Sequence, residues 1–130
     1  MASSLSLLLL VLCALTVAET QLRVFNLQAT NLPSEWLSES DGYVNAYLGT
    51  ANLGSTSCLQ DNAQPLWEEE FFSSAQENDV LELLVYDSDY IYDDCLGGCK
   101  INITVGTHKH DCYLERGGIL HYEYTLSQSQ

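Results

Sequence analysis

Basic side chains are nearly missing from this sequence. Arg23, Lys100, Lys109 and Arg116 are its 4 Lys and Arg residues, against 18 Asp and Glu, for a formal net charge of −14. A surface so acidic repels polyanions, so no nucleic-acid partner is expected, and an anionic membrane is approachable only through a bridging cation. Missing too is any nucleophile–base constellation: there is no Gly-x-Ser-x-Gly and no phosphate-cradling glycine loop, and Gly97-Gly98 and Gly117-Gly118 read as backbone punctuation. Catalysis has no support, and an enzyme is not expected. No stretch keeps a helical period for three turns, which excludes a helical bundle; residues 34–39 could form one helical turn. Beyond residue 18 no apolar run is long enough to span a bilayer.

What is present divides the chain in two. The apolar run from Leu5 to Leu15, followed by Thr16-Val17-Ala18, suits a cleaved leader, so residues 1–18 are expected to be a signal peptide and the product to be secreted and extracellular. Residues 19–130 are one domain's worth of chain. Short alternating runs separated by turn residues predict strands at 22–27, 43–48, 53–60, 66–72, 80–86, 96–103, 109–114 and 118–126. The fold class expected is therefore all-β, an eight-stranded antiparallel sandwich. Two runs show the alternation plainly: Leu81, Leu83 and Val85 share a face away from Glu82, and Leu120, Tyr122, Tyr124 and Leu126 share one away from His121, Glu123 and Thr125. With Cys13 in the leader, Cys58, Cys95, Cys99 and Cys112 remain, an even number that in an oxidising compartment predicts two disulfides with three possible pairings.

The densest chemistry lies in Tyr86-Asp87-Ser88-Asp89-Tyr90-Ile91-Tyr92-Asp93-Asp94, four carboxylates within eight residues around an apolar tip. Like charges about 4 Å apart repel by about 1 kcal/mol even in water. A hard cation relieves that repulsion, and Ca²⁺ takes six to eight oxygens from flexible loops. Asp87 and Asp89, at i and i+2, point to one side of an extended chain, which structure alone seldom wants. His108-Lys109-His110-Asp111 reads as surface rather than as a metal cluster, and a four-cysteine zinc site is disfavoured by the single Cys95-x₃-Cys99 spacing. Asn102-Ile103-Thr104 is a glycosylation sequon, usable if Asn102 is exposed at a strand end.

Three motifs in order then resemble the C2 domain family. Asn31-Leu32-Pro33-Ser34-Glu35-Trp36 with Ser40-Asp41-Gly42-Tyr43-Val44 is similar to the family's first calcium loop. Asn62-Ala63-Gln64-Pro65-Leu66-Trp67-Glu68-Glu69-Glu70-Phe71 is similar to its Asn-Pro-x-Trp-x-Glu-x-Phe stretch. Val85-Tyr86-Asp87-Ser88-Asp89, with Asp94-Cys95-Leu96-Gly97, is similar to its third loop. Within the family the likeness is greatest to the C-terminal C2 domain of perforin, without perforin's pore-forming domain. The resemblance implies a C2 sandwich of the permuted type II form, since the first strand leads straight into the first loop. It implies Ca²⁺ held by Asp41, Asp87 and Asp89, the Ser88 carbonyl and Asp94, with Glu35 and Asp93 as further ligands. It implies the pair Cys99–Cys112, which leaves Cys58 with Cys95. Trp36, Tyr90, Ile91 and Tyr92 would then enter a phospholipid membrane in a calcium-dependent way. The protein is expected to act as a monomer, with host defence as its setting. A calcium-rigidified module binding a protein partner is the alternative.

Overall fold

The computed structural model describes residues 19–34 and 38–128, so the expected leader, Glu35 and Trp36 lie outside the described residues. Nine strands follow in order: β1 Thr20–Thr30, β2 Gly42–Leu48, β3 Ala51–Ser55, β4 Leu66–Trp67, β5 Phe71–Ala75, β6 Val80–Asp87, β7 Asp94–Asn102, β8 Gly106–Tyr113 and β9 Ile119–Gln128. They make two antiparallel sheets. One runs β4-β1-β9-β8, with β5 also paired to β1; the other runs β3-β2-β6-β7.

Eight strands are expected and nine are found because residues 66–72 break in two. The cause lies in β1. Asn26 takes a positive φ of 51°, and the pairing of β1 with β9 slips between Phe25 and Gln28. Such a bulge inserts a residue and bends the strand. β5 pairs with β1 before the bulge, over Thr20–Val24, and β4 pairs after it, at Leu27 and Gln28. Glu68-Glu69-Glu70 falls opposite the bulge and leaves the ladder. There Glu70 takes a two-pronged ion pair from Arg23, at 2.7 and 3.0 Å, and Glu69 accepts from the amide of Ser57. The same bulge resets the alternation of β1, whose buried residues change from Leu22 and Val24 to Leu27 and Ala29.

The core fills the space between the sheets. Leu81, Leu83 and Val85 on β6 and Leu120, Tyr122, Tyr124 and Leu126 on β9 are all buried, with the phase that their alternation predicts. Each such side chain contributes about 1.5–3 kcal/mol through burial. Polar tips are served as well: the Trp67 indole donates to the Gly42 carbonyl at 3.1 Å, and the Tyr124 hydroxyl accepts from the Thr104 amide at 3.1 Å. Burial also pushes the Tyr122 hydroxyl up to about 12.

One disulfide is present among the described residues, not two. Cys99 on β7 is bonded to Cys112 on β8, with the Cα atoms 6.0 Å apart, tying the edge of one sheet to the edge of the other. Cys58 and Cys95 are free and exposed. Their separation follows from strand order. A bridge between Gly42 and Leu59 sets Cys58 alongside the start of β2, whereas Cys95 sits on β7, and both β2 and β6 intervene. Three strand spacings amount to about 14 Å, and a disulfide needs Cα atoms within about 7 Å.

Candidate metal centre

The alternation that buries Leu81, Leu83 and Val85 carries Asp87 to the same side at the end of β6, where it is 5% exposed. A carboxylate placed there must be met by polar groups. One is the amide of Asp41, which donates to Asp87 Oδ1 at 2.8 Å. Asp41 joins all three loops at this pole. Its carbonyl accepts from the Ser88 amide at 2.9 Å, and its Oδ1 accepts from the Asp61 amide at 2.7 Å. Asn62 donates to the Ser40 carbonyl at 2.9 Å and Leu32 to the Ala63 carbonyl at 3.0 Å. Residues 31–34 and 38–41, 56–65 and 88–93 therefore gather at one end of the sandwich.

Between them lies a cavity of about 230 Å³ whose wall carries Glu39, Asp41, Asp87 and Asp89 together with Gln60 and Ser88. Four of the residues expected to bind metal (Asp41, Asp87, Ser88 and Asp89) thus share one wall. Asp93 and Asp94 do not line it. Asp93 accepts from the Tyr43 hydroxyl and from the Asp89 amide at 3.2 Å, bonds that hold its carboxyl below the usual range. Asp94 pairs in register with Asp87, and its Oδ1 lies 4.0 Å from the Arg116 guanidinium. Glu39 and Gln60 were not expected as lining residues; Glu39 precedes Asp41 by two, the same spacing that relates Asp87 to Asp89. That spacing was the available signal. Gln60 carried none.

Beside the cavity, Tyr43 and Tyr86 stack with ring centres 5.4 Å apart. Burial, then the bond to Asp93, raises the Tyr43 hydroxyl well above the ordinary tyrosine range. Partial desolvation and then the Asp41 carboxylate push up the thiol of exposed Cys58, which donates to the Asp41 carbonyl at 3.3 Å. Above the acids stand Tyr90, Ile91 and Tyr92, exposed by 105%, 88% and 68%, three consecutive large apolar side chains in water. A larger, open trough of about 620 Å³ lies at the opposite pole, but its acids serve the fold: Asp79 accepts from the Gln76 amide and Glu77 from the Val105 amide.

The donor set fits a hard cation, being all oxygen and drawn from separate segments around one cavity. Among the described residues no three His, Cys, Asp or Glu side chains stand close enough to grip an ion as they are. Oxygens of Asp41 and Asp89 are occupied by loop amides, the latter by Tyr90 at 2.7 Å. Gathering them around an ion means moving the loops.

Comparison with known proteins agrees with this architecture. Residues 20–115 match the C2 domain. A solved structure described as that of a C2 domain superposes with a TM-score of 0.79 at 55% identity, covering 83% of this chain and 98% of that one. Multiple C2 domain and transmembrane region protein 8 of Arabidopsis thaliana is 42% identical over 79 residues, 58% of this chain and 8% of that protein. Human perforin-1 is 34% identical over 101 residues, 75% of this chain and 18% of that protein. The chain thus spans less than a fifth of either curated relative, and perforin-1 is one of several similar proteins rather than a singular match. With a sandwich of two antiparallel sheets, acidic loops at one pole and the family match over most of its strands, the chain belongs to the C2 domain family.

Proposed function

We propose that this C2 domain docks on phospholipid membranes when calcium is present, by binding and not by catalysis. C2 domains generally bind Ca²⁺, and the observation that carries the reading is local. Asp87, Ser88 and Asp89 of the cavity wall run directly into the exposed Tyr90-Ile91-Tyr92 tip, so gathering these acids around an ion must reposition the tip. Asp41, Asp87 and Asp89, with Ser88, would hold the ion, and Glu39 stands where it can join them. Asp94 and Asp93, and Glu35 outside the described residues, are further ligands that loop movement would have to recruit. A bound calcium ion supplies positive charge that offsets the acids and attracts lipid phosphate. The protein's own part is mechanical. Asp41 couples the three loops, and each tip side chain that enters the bilayer interface contributes about 1.5–3 kcal/mol, less the cost of ordering the loop. Trp36 would add to the tip. The strand order, with β9 between β1 and β8, supports the type II form.

The domain works as a secreted, extracellular monomer, where calcium is abundant enough for the weak sites usual in such modules. Its assignment to host defence rests on the likeness to human perforin-1 alone. The tip supplies the test. Replacing Tyr90 and Tyr92 together by Ala should abolish sedimentation with anionic vesicles while leaving calcium-induced thermal stabilisation intact. Unchanged vesicle binding would show that the tip is not the anchor.

A further inference from the structure

We infer that Asn102 is an N-glycosylation site, and that its glycan projects from the pole opposite the calcium loops. The sequon Asn102-Ile103-Thr104 lies where the folded domain can carry a glycan at its surface. Asn102 is exposed and is the last residue of β7, with the chain leaving the ladder immediately after it. The sequon's middle residue holds the exit in place. Ile103 is fully buried, its amide donates to the Asp79 carbonyl at 2.9 Å, and its carbonyl accepts from the Asn78 amide at 2.8 Å. Asn102 and Thr104 are exposed on either side of that anchor, and the Thr104 hydroxyl lies 3.0 Å from His108 Nε2 at the surface.

Register fixes the polarity. Asn102 pairs with Val80 at one end of β6, and Asp94 pairs with Asp87 at the other. Seven residue steps of extended strand put about 24 Å between the modification and the acidic cavity. A glycan there leaves the docking pole clear. It would also stand at the edge of the β3-β2-β6-β7 sheet, near half-exposed Val105, where a bulky polar group discourages edge-to-edge pairing between copies.

The inference rests on the secretory reading, because this modification is made in the secretory pathway, and the test separates the two. The full chain is expressed in insect cells in two forms, one with its own residues 1–18 and one with those residues replaced by a leader of proven secretory function. Medium from each is treated with peptide N-glycosidase F. In the second form the band should shift to lower mass, Asn102 should be recovered as Asp, N102Q should show no shift and T104S should retain one. A second form that is exported at its unmodified mass overturns the inference. Export and modification of the second form alone would refute the secretory reading and leave the site standing. Glycosylated and enzyme-stripped samples should bind vesicles equally; tighter binding after stripping would contradict the polar placement.

Discussion

Asp41 does two jobs with adjacent atoms: its backbone fastens Asp87 and Ser88, and its carboxylate fastens Asp61. An ion that recruits that carboxylate must therefore disturb the second loop as well as the first. Asp41→Asn and Asp87→Asn should each abolish the rise in thermal midpoint on calcium addition, worth about 2.7 kcal/mol at a hundredfold excess over the dissociation constant. A differential scan with calcium and with chelator measures it, and a full rise in either variant would remove that residue from the site. Away from the loops, Arg23 and Glu70 make a pair whose pH dependence has a definite sign. The bond to Arg23 holds the Glu70 carboxyl below its ordinary value, so the stabilisation is present above the unfolded pKa and fades as pH falls through the folded one. Glu70→Gln should lower the thermal midpoint at neutral pH, with the gap from wild type closing below about pH 4.

At the scale of strands, much was legible where a signal was local. The alternation of residues 80–86 and 118–126 predicts both the strands and their buried faces, and the i, i+2 spacing of Asp87 and Asp89 predicts a shared wall. What was not legible depended on another strand. The break at Glu68-Glu69-Glu70 originates in the bulge at Asn26 of β1, and Asp94 is drawn toward Arg116, which belongs to the turn after β8. The pairing of Cys58 with Cys95 failed for the same reason, since only strand order shows two strands between them. Iodoacetamide applied to the native protein should label Cys58 and Cys95, while Cys99 and Cys112 become reactive only after reduction. Replacing Cys99 and Cys112 together by Ser releases β7 from β8 and should cost about 3 kcal/mol, read from the urea midpoint.

The molecule as a whole is polarised. One pole gathers three loops, an acid-walled cavity and an apolar tip; the other carries the strand ends and the Asn102 sequon. The sandwich between is braced by its core and by the disulfide joining its two sheets. A net charge of −14 with only four basic side chains keeps such a body away from anionic lipid unless a cation intervenes. Membrane docking should therefore require calcium. The most direct test of this requirement is co-sedimentation of the protein with phosphatidylserine–phosphatidylcholine vesicles in calcium and, separately, in chelator. The expected result is protein in the vesicle pellet with calcium and in the supernatant with chelator. Protein in the supernatant under both conditions, or in the pellet under both, would contradict it.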